Sequence, residues 1–190
     1  MPLPDPPVSP PVVGLAAAKL PPRELGARLD KILACAEGLV GSLPIRALDH
    51  KPPQRDRSVR DLAFHVFRLS LAYVDGMDMG ELPESWLQEQ APPDLVDGPA
   101  IARYGALVRG RVSGWFEGAA LSEFARSIRV NDGRVNDAPQ NGHELLERTT
   151  SHAARHLRQF YALAGDLGLT PPQPLPTSDF EGLPLPVGLW

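Results

Sequence analysis

The stretch NGHELLERTTSHAARHLRQFYALAGDLG, residues 141–168, carries helix signals from end to end. Asn141 and Glu144 form an N-cap pair, and Gly168 followed by Pro171 supplies the stop. Between them Leu145, Thr149, His152, His156, Leu163 and Leu167 fall at helical spacing, so one face turns inward, with Gln159 and Phe160 at its flank. Two histidines occupy positions where that stripe calls for core residues. Four residues apart on a helix, they lie roughly 40° apart around the axis and about 6 Å apart along it, close enough to share one ion.

Working outward, three more segments read the same way. Of the 22 prolines, all but Pro139 crowd residues 2–22, 44–53, 83–99 and 171–186, and they spare four stretches between them. The first runs from about Pro22 to Gly41, with Leu25, Leu29, Ile32, Ala36 and Leu39 inward. A second begins at Ser58, with Asp61 three residues on as in a capping box, and continues through Leu62, His65, Leu69 and Ala72 to about Asp75. A third starts at Asp97 as N-cap and reaches about Phe116, with Ile101, Tyr104, Val108, Val112 and Trp115 inward. Its Gly105, Gly110 and Gly114 each cost about 1 kcal/mol relative to Ala, which loosens its boundaries.

The expected fold is therefore all-α: a four-helix bundle over residues 22–168 with long Pro-rich connections. A Pro-rich arm, residues 1–21, precedes it. The tail, residues 169–190, holds Phe180, Leu183, Leu185, Leu189 and Trp190, too apolar for a solvated linker, so an extended strap along the bundle is expected. Arg129 to Val135, with its Asn131-Asp132-Gly133 turn, has the makings of a small β-hairpin.

Composition narrows the function. With 43% apolar residues in 190, the chain can bury one core. Nineteen Lys+Arg against 23 Asp+Glu, net charge -4, leave no basic excess for a nucleic-acid partner. No stretch approaches the roughly 18 apolar residues that span a bilayer. The N-terminal MPLPDPPVSPPVVGLAAAKL lacks the positive charge and unbroken apolar run of a signal peptide. The single Cys35, in an apolar helical pattern, reads as a small core residue in a reducing, cytoplasmic setting.

Of the five histidines, His65, His152 and His156 sit in core stripes. Burying one satisfied imidazole is common. Burying three together leaves donors and acceptors that neighbours such as Leu62, Leu69 and Phe160 cannot satisfy, at roughly 1–3 kcal/mol each. A shared divalent ion removes that difficulty by taking one lone pair from each ring. His50 lies in a Pro-rich connector and is expected to be exposed. His143, in the first turn of the last helix, would oppose the helix dipole if protonated. The string His143-Glu144-Leu145-Leu146-Glu147 starts like a zincin motif but has Glu where the second His must stand.

The segments Asp61-Leu-Ala-Phe-His65-Val-Phe-Arg68 and His152-Ala-Ala-Arg-His156-Leu-Arg-Gln159 together resemble the DinB/YfiT-like superfamily of metal-binding four-helix bundles, over about residues 22–168. The resemblance implies that His65, His152 and His156 bind one divalent metal, with Gln159 in the place of the family's usual glutamine. It also implies activity as a thiol-dependent transferase or isomerase using a low-molecular-weight thiol, although many members have no known activity. Three neutral imidazoles suit Zn²⁺ or Ni²⁺ and leave a coordination position open, as catalytic sites do. Gln159 is then an orienting hydrogen-bond partner. Arg68, Arg155 and Arg158 either attract an acidic substrate or thiol, or are solvated surface or pair with Glu147 or Asp166. The leading expectation is a metal-dependent thiol transferase or hydrolase acting on a small molecule, with room for a homodimer. Its competitor is a non-catalytic, metal-stabilised bundle with a binding or stress-related role; no nucleophile or general base stands out beyond the ligands.

Overall fold

The computed structural model describes residues 20–52, 57–131 and 139–189. Four long helices carry the fold: α1 Pro22–Ser42, α3 Val59–Met79, α5 Gly98–Gly118 and α6 Gly142–Asp166. Two single turns, α2 Ile45–Leu48 and α4 Glu84–Leu87, interrupt the connectors. Helix α1 packs on α5 and α6, and so does α3. The ring order is therefore α1–α5–α3–α6, with α1 and α3 on one diagonal.

The expected caps are in place. Ser58 and Asp61 exchange the two bonds of a capping box, Asp97 accepts from the Ala100 N–H at 2.8 Å, and Asn141 accepts from the Glu144 N–H at 2.8 Å. Helix α3 runs past Asp75 because nothing stops it until Gly80, whose φ of 82° closes the helix in the left-handed region. In α5 the cost of Gly105 is offset by packing. A Cβ there would stand 2.6 Å from the Phe67 ring, so the absent side chain lets α3 and α5 approach. Of the inward residues expected on α6, Leu167 instead is exposed, because it follows the last helical turn; Leu146, Ala153 and Leu157 join the core in its stead.

The all-α expectation holds for the bundle, and a three-stranded sheet is added at one end. Strand β1, Glu81–Leu82, directly follows the α3 cap and pairs in parallel with β2, Ser127–Val130. Strand β3, Gln140–Asn141, directly precedes α6 and pairs antiparallel with β2, Ile128 against Gln140. The expected hairpin at 129–135 is thus displaced: β2 starts two residues earlier, and its antiparallel partner lies at 140–141. Residues 132–138, including the Asp132-Gly133 part of the expected turn, lie outside the described residues, as do residues 1–19 of the N-terminal arm and Trp190.

The tail lies against the bundle. Arg28 donates to the carbonyls of Asp179 and Glu181, Lys31 pairs with Asp179 at 2.9 Å, and the Tyr161 hydroxyl accepts from the Leu175 N–H at 3.0 Å. Leu183 is buried, while Leu175, Phe180 and Leu185 pack against the core more shallowly. Beneath the tail Cys35 is buried and donates to the Gln173 carbonyl at 2.8 Å; burial pushes its thiol pKa up.

Candidate metal centre

Adjacency of α3 and α6 in the ring brings His65 against His152 and His156. One ring nitrogen from each lies within 4.8 Å of the others. The rings meet edge to face, with centroids 4.5 Å apart for His152 and His156 and 5.3 and 5.8 Å from His65 to each. His65 and His156 are buried, and His152 is partly exposed where it borders open space.

The protonation pattern of His156 follows from its neighbours. The Leu189 carbonyl can only accept, and the Gln159 side-chain NH2 donates to it at 2.7 Å. Gln159 Oε1 must then face His156 Nδ1, 2.6 Å away, so Nδ1 carries the hydrogen and donates. The lone pair of His156 is thereby placed on Nε2, which lies 2.9 Å from His152 Nε2. The tail backbone, through one amide, aims His156 Nε2 at His152. This is the second-layer support by which metal-binding imidazoles are held.

Burial first, then Arg57 and His156, lowers the pKa of His65 from 6.5 to about 3. Burial first, then His156, His65, Arg155 and Arg148, lowers that of His152 to about 2. Both rings are therefore neutral in the folded chain at neutral pH, the form that offers a lone pair. Three imidazoles from two helices, two held neutral by burial and the third with a hydrogen fixed on Nδ1, make a nitrogen donor set that could hold one divalent ion.

A cavity of about 260 Å³ opens beside His65 and His152. Its apolar wall is Leu69, Leu82, Leu87, Val130 and Leu145, and its polar groups are Arg57, Gln88, Arg148 and Thr149. Leu82 of β1 and Val130 of β2 reach it only because the small sheet folds over this end. Arg57, Arg148 and Gln88 were not legible as site residues, since the cavity is made by elements that are distant in sequence.

The other candidates separate. Arg68 is buried, bonded to Glu89 through two nitrogens and stacked 5.3 Å from Trp86, so it is held by Glu89 and not by the expected Glu147 or Asp166. Arg158 donates to the Pro186 carbonyl at 3.2 Å and anchors the tail. Arg155 faces a second chamber bordered by His152. His50 is exposed, and His143 donates to the Leu20 carbonyl at 2.6 Å, away from the cluster.

No family model matches the sequence, and no curated protein matches it. In three dimensions the chain is similar to the crystal structure of a DinB-like protein, YjoA, from Bacillus subtilis, with a TM-score of 0.61 at 14% identity over 80% of this chain and 96% of that one. At that identity the likeness speaks for architecture alone: this chain has a DinB-like fold.

Proposed function

We propose that this chain binds one divalent metal through His65, His152 and His156 and acts as a metal-dependent enzyme of the thiol-transferase or hydrolase type on a small molecule. The observation that carries the reading is the convergence of three imidazoles, with lone pairs available, at the edge of a half-apolar cavity. A divalent ion held there supplies a Lewis acid with a position open to ligand. His65 and the α6 pair grip it from two helices, and Gln159 holds His156 in the ligating tautomer. The leucine and valine wall displaces water and seats an apolar body, and Arg57 and Gln88 at the rim orient polar groups of it.

The non-catalytic reading would be favoured by a cluster sealed under Phe64, Phe160 and the tail. Phe64 instead packs on Tyr104, 5.3 Å between ring centroids, and Phe160 is buried in the core, while His152 borders open space on two sides. Metal analysis of the purified protein tests the proposal: about one divalent ion per chain is expected, and none in the His152→Ala, His156→Ala double variant. Stoichiometric metal in that variant overturns the ligand assignment. For the catalytic half, His65→Ala must lose turnover of an electrophile or ester while keeping its circular dichroism; a fully active variant overturns it.

A further inference from the structure

The three-histidine cluster is flanked by two arginines that no described residue pairs with. Arg155 lies between the two α6 histidines in sequence and makes no hydrogen bond or ion pair among the described residues; its buried Nε has no acceptor. Arg57, on the opposite side, likewise has no such partner among the described residues and lines the first cavity. Both act on the cluster electrostatically, Arg57 on His65 and Arg155 on His152. The imidazoles bring no negative charge, so a dication among them would add to the positive charge beside them.

A second chamber of about 300 Å³ lies between α6 and the tail, on the far side of His152, with Ser151, Arg155, Pro184 and Pro186 in its walls. Ser151 is 7% exposed, and its Oγ has no hydrogen-bond partner among the described residues. Glu144, Glu147 and Arg148 also border the chamber, and among the described residues neither carboxylate forms a hydrogen bond or ion pair with Arg155. Glu144 is turned back to the Asn141 N–H in the helix cap, 3.3 Å away, and Glu147 has contacts of its own. A guanidinium without an anion beside a buried hydroxyl without a partner is the donor set of a carboxylate site.

We infer that this chamber is an anion subsite that takes the carboxylate of a small organic acid, with Arg155 as its charged donor and the Ser151 hydroxyl as its second, the rest of the molecule extending past His152 toward the histidine cluster. The extension toward the cluster rests on the metal reading above; the carboxylate subsite does not.

Thermal shifts with propionate and its neutral isostere propionamide test the subsite on metal-free protein. Titration of cobalt-loaded protein with 3-mercaptopropionate and 2-mercaptoethanol, followed by thiolate-to-cobalt absorption, tests the extension. Propionate is expected to raise the melting temperature where propionamide does not. The acidic thiol should bind at least about tenfold more tightly than the neutral one. Arg155→Gln should erase both differences, and Ser151→Ala, which removes one oxygen and serves if the first variant does not fold, should reduce them. Cobalt uptake with equal affinity for the two thiols and no preference for propionate overturns the subsite and leaves the metal reading standing. No cobalt uptake, with a propionate preference that depends on Arg155, overturns the metal reading and supports the subsite. Preferences retained in full by both variants overturn the residue assignment.

Discussion

Replacing Gln159 by Met probes the link between tail and histidines most directly. The side chain is 1% exposed, so a near-isosteric replacement preserves packing and removes two hydrogen bonds, those at 2.6 Å from His156 and 2.7 Å to Leu189. Two buried polar groups lose partners, at about 1–3 kcal/mol each, partly relieved if the tail lifts and the Leu189 carbonyl meets water. A net loss of about 2 kcal/mol corresponds to a melting temperature lower by about 4–8 °C for a chain of this size. Without its acceptor the His156 Nδ1–H no longer outcompetes the alternative tautomer, and metal affinity should fall by about 10–100-fold, as for other outer partners of metal ligands. Ending the chain at Gly188 is the informative contrast. The amide then stays but loses the carbonyl that orients it, so its two flips become near-equal in energy and only one presents Oε1 to His156. With about half of the molecules competent, the apparent dissociation constant should rise only about twofold. Affinities come from competition with a chromophoric chelator. A Gln159→Met variant within about twofold of the parent refutes the relay; a shortened chain as impaired as Gln159→Met shows that the tail acts by some route other than amide orientation.

Three further outcomes are expected. Metal-free protein should lose stability as pH falls below about 6.5. His65 and His152 are held neutral in the fold, with pKa values near 3 and 2, whereas the unfolded chain takes up their protons. The unfolded state thus binds more protons through that window, and each histidine contributes up to about 1.4 kcal/mol per pH unit; urea unfolding with a midpoint flat from pH 7 to 4.5 would contradict this. Gly105→Ala should destabilise by about 1–3 kcal/mol, because the new methyl meets the Phe67 ring at 2.6 Å and either helix or ring must shift; an unchanged melting temperature would mean that the α3–α5 contact is looser than described. Truncation after Thr170 should cost several degrees of melting temperature, since it uncovers Cys35 and removes Leu183, Phe180 and the ion pair of Lys31 with Asp179; an unaltered thermal transition would make the tail energetically idle.

The helices were legible because their signals are local. Ser58 with Asp61, Asp97, and Asn141 with Glu144 announce starts through bonds within one turn, and a 3.6-residue apolar period needs only the segment itself. His152 and His156 were a pair on the same grounds, since four residues on a helix set their separation before any packing. Where packing decides, the reading failed in specific ways. Leu167 had the right period but fell beyond the last turn, and Gly105 looked like a defect until Phe67 was seen to fill its place. Strand β1 has only two residues, too few for any period, and exists because Gly80 redirects the chain onto β2. The meeting of His65 with the α6 pair, the role of Leu189 behind Gln159, and the division of labour among Arg68, Arg155 and Arg158 all depend on contacts between residues far apart in the chain. A side chain's period says which way it faces; only the ring order α1–α5–α3–α6 and the path of the tail decide what it faces.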